Sequence, residues 1–347
     1  MKAEKETPES LESVETTCKP ENGLAAIGLD IGTSRIVCSQ APTEFKTQLN
    51  AFIGVAYSKF AEQMLQRNGI DFYRHNGELF VLGDGAEKFA SMFNHEVRRP
   101  MSVGLLNPGE RDGFEVIQLI LRRLLKKPKP GGSKICFSIP SAPCGMETSL
   151  VYHENMIKRF LTELGFESKS LNEGLAVVFS ELANENFSGI GISFGGGMCN
   201  ACLAYLSIPI LTFSLGKAGD WIDSSVSVVT GESATRVRVR KESALDLSAP
   251  PSHKIDEALH IYYEEMILDL VRSLTRSFVE SRNLPTLDKP IPVVLSGGTS
   301  KPRGFREKFE NALRATNFPL AISEVRLAAD PLNTTAKGTL MYAMYDN

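Results

Sequence analysis

The stretch Ile27-Gly28-Leu29-Asp30-Ile31-Gly32-Thr33-Ser34 decides the fold together with a second one, Gly189-Ile190-Gly191-Ile192-Ser193-Phe194-Gly195-Gly196-Gly197. Each has the pattern of an apolar strand that ends in a tight glycine turn. Glycine allows positive φ angles there and lets a ligand approach the amide groups closely. Successive amide groups in such a turn form a hollow that binds anions such as phosphate. Two such turns in one chain predict duplicated lobes that close on one nucleotide.

The composition indicates a globular protein of about two domains, because 42% of the 347 residues are apolar and 23% are charged. A net charge of −3 argues against a dedicated nucleic-acid-binding protein, which normally carries a basic excess. No apolar run is long enough to span a bilayer. Residues 1–23 are charged and contain no apolar signal core, so we expect a disordered tail. Six cysteines without a secretory signal indicate a reducing cytoplasm.

Apolar periodicity predicts further strands and helices along the chain. The predicted strands are 78–82, 134–139, 202–206, 208–215 and 291–296. The predicted helices are 114–125, 153–164, 255–284, 304–313 and 336–345. Residues 235–240 alternate arginine with apolar residues like an exposed strand, but their neighbours suit the start of a helix. Both interpretations stay open for that segment.

Two features that can bind metals or transfer protons are predicted to be structural. Cys199 and Cys202 have CxxC spacing, but no second cysteine pair or histidine cluster accompanies them. On a strand their thiols would face opposite sides, which predicts ordinary core cysteines. His153 is predicted to be a surface histidine at the start of a helix.

Two carboxylates lie where phosphate chemistry would need them. Asp30 follows an apolar strand and precedes Gly32, so it could hold the water shell of Mg²⁺, or it could simply form the turn. Glu173 starts a predicted helix, where it could position or deprotonate a water that attacks a phosphate, or merely complement the helix dipole. The strand before Gly297 and Gly298 runs into a third glycine turn, which would allow close approach by a nucleoside.

The order of these motifs resembles that of the bacterial actin-like ATPases of the MreB and MamK type, within the superfamily of actins, sugar kinases and heat-shock chaperone ATPases. The resemblance covers about residues 24–345. The matching segments are Asp30-Ile31-Gly32-Thr33 and Gly195-Gly196-Gly197 for the two phosphate motifs, Asn172-Glu173 for the first connecting helix, Gly219-Asp220 for the turn near the nucleotide sugar, Ser296-Gly297-Gly298 for the adenosine motif, and Asp330-Pro331-Leu332 for the closing segment.

This resemblance implies an α/β actin-like fold with two ribonuclease-H-like lobes around a nucleotide cleft. The first lobe would comprise residues 24–176 and 329–347, with a small insertion at about 42–82. The second lobe would comprise residues 177–328, with a reduced insertion at about 226–254.

The resemblance also implies a function: a filament-forming cytoskeletal ATPase with slow ATP hydrolysis, which would use ATP and Mg²⁺. Asp30 would organise the metal through water and Glu173 would place the attacking water. The residues implied in nucleotide binding are Gly32, Thr33, Ser34, Ser193, Gly195, Gly196, Gly197, Gly219, Asp220, Glu232, Gly297, Gly298 and Thr299. Self-association into filaments is expected.

Three departures from the family pattern favour an alternative, a non-hydrolysing actin-fold adaptor or scaffold that binds protein partners. Ser193 stands where the family has an aspartate, so Mg²⁺ binding and hydrolysis should be weaker. Only a short stretch separates Glu232 from the helix at Ile255, although the family places most of a small subdomain there. The loop at 126–132 is basic where MreB carries an exposed apolar pair, which predicts no intrinsic membrane insertion and at most weak contact with an anionic surface.

Overall fold

The computed structural model describes residues 25–93, 97–128, 132–141, 147–281 and 289–345. The predicted tail, residues 1–23, and residues 129–131 of the basic loop lie outside the described residues. No helix in the described ranges is long and apolar enough to cross a membrane.

The strands are β1 (Ala25–Ile31), β2 (Arg35–Ala41), β3 (Glu44–Leu49), β4 (Phe52–Ala56), β5 (Phe72–His75), β6 (Glu78–Leu82), β7 (Met101–Ser102), β8 (Leu105–Leu106), β9 (Ser133–Ile139), β10 (Glu167–Asn172), β11 (Gly189–Phe194), β12 (Cys199–Tyr205), β13 (Ile208–Leu215), β14 (Ile291–Ser296) and β15 (Ile322–Leu327). The α-helices are α1 (Lys59–Arg67), α2 (Asp84–Phe93), α3 (Gly113–Leu124), α4 (Glu147–Glu163), α5 (Glu173–Glu181), α6 (Gly219–Thr230), α7 (Ala234–Ala244), α8 (Lys254–Glu280), α9 (Phe305–Arg314) and α10 (Thr334–Tyr345). A short 3-10 helix covers Gly298–Ser300.

Two sheets share one topology. The first has the strand order β10-β9-β1-β2-β3 and the second has the order β13-β12-β11-β14-β15. In each, the central strand pairs antiparallel with the next strand in the chain and parallel with a strand that returns after a helix. We call the first sheet with the helices packed on it the first lobe, and the second sheet with its helices the second lobe. The repeated topology confirms the predicted α/β fold of duplicated lobes.

Each lobe has its own apolar core, built as the periodicity predicts. In the first lobe, Leu29 and Ile31 of β1 pack with the apolar face of α3. In the second, Ile190 and Ile192 of β11 pack with the apolar face of α8. Burial of these faces is the main favourable contribution to folding. The glycine turns that follow β1 and β11 are therefore held at the ends of buried strands.

Each lobe has an insertion, and α7 belongs to that of the second lobe. A small sheet of order β4-β6-β5, together with α1 and α2, follows β3 in the first lobe. Because β3 pairs with β2 in the first sheet, we place the start of this insertion near residue 50 instead of 42. In the second lobe, Ser233 caps α7 by accepting a hydrogen bond from the amide of Arg236, 3.3 Å away. The segment 235–240 that allowed two interpretations is therefore helical.

Helices α5 and α10 form the joint between the lobes, and glycines let them approach closely. A β-carbon at Gly338 of α10 would lie 1.8 Å from the carbonyl oxygen of Ala176 in α5. A β-carbon at Gly28 of β1 would lie 2.2 Å from the carbonyl oxygen of Ala336. Only glycine allows these elements to be this close.

The two structural predictions for cysteine and histidine have different outcomes. Cys199 and Cys202 are buried in different clusters on opposite faces of β12, as predicted, and the described residues contain no cluster of three metal-ligating side chains. The surface prediction for His153 is wrong. Helix α4 begins at Glu147 and buries the imidazole completely. Burial lowers the pKa of His153 to about 4, so its ring is neutral.

Candidate functional site

A cleft of about 380 Å³ lies between the lobes, within the size range of small-molecule sites, about 300–1,000 Å³. Both glycine turns line it. The first turn is closed by the amide of Gly32, which donates to the carbonyl of Arg35 at 3.0 Å. The side-chain amide of Asn50 donates to the carbonyl of Gly32 at 2.9 Å. The backbone of this turn is therefore fixed before any ligand arrives.

The two glycine turns touch each other across the cleft. A β-carbon at Gly196 would lie 2.1 Å from the hydroxyl oxygen of Ser34, and one at Gly197 would lie 2.3 Å from the hydroxyl oxygen of Thr33. No side chain fits at Gly197, where the amide nitrogen of Gly104 would also lie 2.7 Å away. The hydroxyls of the first turn therefore lie against the backbone of the second turn, and both turns line the cleft in which a phosphate could bind.

The two candidate carboxylates lie at the same end of the cleft. Asp30 ends β1 and accepts a hydrogen bond from the Ser138 hydroxyl at 2.8 Å. Glu173 is the first residue of α5, and its Oε2 accepts a hydrogen bond from the Asn200 side chain at 3.0 Å. The Ser193 side chain lies beside the Glu173 carboxylate and opposes the rise in its pKa.

Burial changes the acidity of both groups, and the charge of Asp30 adds to the effect on Glu173. Burial raises the pKa of Asp30 to about 6, against the opposing effect of the Ser138 hydrogen bond. Burial, and next the charge of Asp30, raise the pKa of Glu173 to about 8. At neutral pH the pair therefore holds a proton that two exposed carboxylates would have lost.

The residues present fit a hydrated Mg²⁺ ion. Neither Asp30 nor Glu173 has an ion-pair partner in the part of the chain that the structure describes, so a half-buried and a buried carboxylate face the cleft without a compensating cation. Mg²⁺ keeps several waters and takes one or two carboxylates together with substrate phosphates. Asp30 at the strand end would hold such an ion through water.

The second glycine turn is braced by the start of α6 and by the 3-10 helix. The amide of Asp220 donates to the carbonyl of Gly196 at 2.7 Å, and the amide of Gly219 donates to the carbonyl of Gly195 at 3.2 Å. The Thr299 hydroxyl donates to the same Gly195 carbonyl at 2.8 Å. The glycine turns, the α6 start and the third glycine turn thus meet at one place.

The structure brings together nearly all of the site residues predicted from sequence. Those that line the cleft are Asp30, Gly32, Thr33, Ser34, Glu173, Ser193, Gly195, Gly196, Gly197, Gly219, Asp220, Gly297, Gly298 and Thr299. The exception is Glu232, which lies at the junction of α6 and α7. Its carboxylate pairs with Arg236 at 2.8 Å, and its carbonyl accepts the Ser227 hydroxyl. Glu232 is held at this junction because the helix that follows it begins with the cap residue Ser233.

Helix α7 supplies cleft residues that the sequence reading missed. Arg238, Lys241 and Glu242 line the cleft at helical spacing. Lys241 is buried and donates to the carbonyl of Gly219 at 2.9 Å and to the carboxylate of Asp223 at 2.7 Å. Burial raises the pKa of Asp223 to about 6, and the charge of Lys241 opposes that shift. The helical spacing of residues 238, 241 and 242 could have indicated that they share one face, but only if the segment was recognised as a helix.

An ion pair joins the two lobes. Arg238 of α7, which lines the cleft, pairs with Glu87 of α2, which belongs to the insertion of the first lobe.

Solved structures of the actin-like fold are similar to this chain over nearly its whole length. The MamK double helical filament is 20% identical with a TM-score of 0.69, and the match covers 92% of this chain and 98% of that chain. MreB 5 of Spiroplasma citri bound to AMPPNP is 14% identical with a TM-score of 0.65, covering 91% and 95%. Ethanolamine utilization protein EutJ from Carboxydothermus hydrogenoformans is 17% identical with a TM-score of 0.53, covering 93% and 92%. At these identities the similarity shows the fold.

A family model shows more than the fold. No curated protein matches the chain. The family model described as Volactin matches residues 25–343, which include both lobes and every cleft residue described above. The chain therefore belongs to the Volactin family and has an actin-like fold of the MreB and MamK type.

Proposed function

We propose that the cleft binds ATP together with Mg²⁺. The observation that carries this proposal is the pair of carboxylates, Asp30 and Glu173, which line one cleft together with two glycine turns and have no ion-pair partner among the described residues. The amides of the turns suit phosphates, and the α7 side chains with Gly298 suit the nucleoside. Similar structures bound to AMPPNP and to ADP support the same assignment.

We infer that hydrolysis in this cleft is slow. Glycine amides and the Thr33 hydroxyl would orient the phosphates, and a bound Mg²⁺ would neutralise phosphate charge. Glu173 would position the attacking water and accept its proton, but a pKa of about 8 leaves it mostly protonated at neutral pH. Ser193 adds no second charge that would hold the metal from the other lobe.

Calorimetric titration with ATP and Mg²⁺ tests nucleotide binding. The wild-type protein should bind, and Asp30→Ala should bind more weakly because the metal loses its carboxylate. Glu232→Ala is the matched control, since Glu232 lies outside the cleft, and it should bind like the wild type. Absence of heat, with a melting temperature that millimolar ATP leaves unchanged, would refute the proposal, because a ligand specific for the native state must stabilise it.

We further propose that the protein self-associates into filaments. The similarity to the MamK filament motivates this proposal, and exposed apolar side chains such as Phe60 and Ile208 support it. Pelleting with and without ATP, followed by negative-stain imaging, tests it. Polymers that form only with nucleotide are expected. Protein that stays in the supernatant under both conditions, while it binds nucleotide, would count against assembly.

One observation favours the second candidate, a non-hydrolysing adaptor or scaffold. The side-chain amide of Asn200 donates to the Glu173 carboxylate, which holds it in place as a structural group would be held. Nucleotide binding without measurable phosphate release, in a protein that recruits a protein partner, is the outcome that separates this candidate from an ATPase.

The proposed location is the cytoplasm, without intrinsic membrane insertion. Cys38, Cys199 and Cys202 are buried free thiols, as expected in a reducing compartment. Exposed Lys126 and Lys127 would give at most a salt-sensitive contact with anionic lipid. Flotation with anionic liposomes that survives high salt would contradict this.

A further inference from the structure

The turn between β7 and β8 has a residue that does not suit its backbone. The pairing of Ser102 with Leu105 leaves Val103 and Gly104 as a two-residue loop, and their φ angles are 48° and 72°. A hairpin turn with two positive φ angles prefers Asn or Asp followed by Gly. A β-branched residue avoids this region of φ and ψ. A natural chain that breaks such a local rule commonly does so for a contact elsewhere.

Gly104 makes a buried contact with the first glycine turn. Its amide donates a hydrogen bond of 3.0 Å to the hydroxyl oxygen of Thr33, a residue that is 5% exposed. A threonine hydroxyl can accept this bond and still donate its own hydrogen. Because threonine has few side-chain rotamers, the Gly104 amide fixes the direction in which that hydrogen points.

Both residues of the turn also touch the second lobe. A β-carbon at Gly104 would lie 2.5 Å from the sulfur of Met198, which follows the second glycine turn and is buried. A β-carbon at Gly216, just before α6, would lie 3.4 Å from Cγ1 of Val103. The side chain of Val103 therefore packs across the cleft, which explains a valine where the turn itself would favour asparagine.

We propose that the Val103–Gly104 turn positions the Thr33 hydroxyl for a phosphate and couples it to the second lobe through Met198 and Gly216. This inference rests on the proposed nucleotide binding. When the lobes separate, Met198 and Gly216 move away from the turn and the support of Thr33 loosens. A phosphate bound to Thr33 favours the arrangement in which the lobes are together.

The test compares two substitutions of the same kind. Val103→Asn keeps a turn-forming residue at a positive φ and removes the contact with the second lobe. Leu206→Asn is the matched control, because Leu206 has φ 49° in the two-residue turn between β12 and β13. Leu206 is 53% exposed and lies at the end of the second sheet away from the cleft. Both substitutions relieve the same backbone strain, so the two variants differ in the contact that Val103 makes with the second lobe.

Hydrogen exchange without nucleotide gives the first result. Val103→Asn should speed amide exchange in peptides that cover 101–106 and 195–198, whereas Leu206→Asn should leave both unchanged. Equal exchange in the two variants would overturn the coupling of the turn to the second lobe. This measurement needs no nucleotide, so it decides the coupling even if the proposed function fails.

Release of a fluorescent ATP analogue gives the second result. Val103→Asn should raise the release rate by about fivefold or more, the lower end of the usual coupling between sites, and Leu206→Asn should not. Equal release from both variants would overturn the positioning of Thr33. If the wild-type protein binds no analogue, the proposed function and the phosphate role fall together.

Discussion

Ser193, at the end of the central strand of the second lobe, lies beside Glu173, the first residue of the helix that joins the lobes, and its hydroxyl opposes the rise in the pKa of that carboxyl group. The MreB and MamK pattern that the sequence resembles implies an aspartate at position 193. Relative to that pattern, this chain has a neutral hydroxyl beside the candidate base instead of a charge that could face the metal.

The first prediction is that Ser193→Asp raises the affinity for Mg²⁺ in the presence of ATP. A third carboxylate beside Asp30 and Glu173 can accept from a metal-bound water, and hydrogen bonds to charged groups contribute about 1.5–3 kcal/mol. This corresponds to about tenfold or more in affinity. Without metal the same variant should melt at a lower temperature, because three neighbouring carboxylates in the cleft repel one another. Turnover and Mg²⁺ titration measure the effect. A folded variant that binds ATP like the wild type but neither binds Mg²⁺ more tightly nor turns over faster would contradict this.

The second prediction concerns pH. The pKa of Glu173 rises from 4.5 to about 8 on folding, so the native state keeps a proton that the unfolded chain loses. The stability that this group contributes is therefore fully present below pH 4.5 and declines as the pH rises from 4.5 to about 8. Melting curves of the wild type and Glu173→Gln should converge at low pH, and only the wild type should lose this stability as pH rises. Parallel pH profiles would show that Glu173 is not responsible.

Turnover should have the opposite pH dependence to stability. Glu173 accepts a proton only when it is ionised, so the phosphate release rate should increase as pH approaches about 8. A rate that is flat across this window in the wild-type protein would exclude Glu173 as the base.

The third prediction tests the joint between the lobes. Gly338→Ala forces a β-carbon against the Ala176 carbonyl and should destabilise the protein by about 1–3 kcal/mol or more. Gly85→Ala is the control, because its β-carbon would meet neighbours at 3.4 and 3.5 Å inside a helix. The control should be neutral or slightly stabilising. Urea unfolding of both variants gives the comparison, and equal stability would mean that α5 and α10 do not pack as described.

The sequence predicts most of the fold because its strands and helices have regular apolar patterns. The strand before each glycine turn and the apolar faces of α3 and α8 are readable in this way. The sequence does not indicate that His153 is buried, because the packing that encloses its ring leaves no local sequence pattern. The sequence allows both a strand and a helix for the segment that forms α7. That segment is mostly exposed, so its arginines alternate with apolar residues without a clear buried face.

The sequence predicts the parts of the site that glycine turns form. It does not predict the parts that depend on contacts between residues separated along the chain. The phosphate turns and both carboxylates follow from local motifs. The buried pair of Lys241 and Asp223, and the contact of Gly104 with Thr33, join residues far apart in the chain. Neither pair has a local signature, so only the structure could reveal them.

The fourth prediction concerns that buried pair. Lys241→Met leaves Asp223 buried without its partner and should cost about 3–5 kcal/mol of stability. Adding Asp223→Leu should restore part of this loss, because no charge remains buried. Lys217→Met is the control at a more exposed ion pair, where about 0–1 kcal/mol is expected. Equal losses for the two single lysine variants in urea unfolding would contradict the burial of Lys241.

The measurement that most directly tests the central claim is a structure of the protein with AMPPNP and Mg²⁺. The account predicts that the phosphates lie between residues 32–34 and 195–197. It also predicts that the metal lies within reach of Asp30 through a water. Phosphates bound elsewhere, or a cleft without nucleotide at saturating AMPPNP, would contradict it.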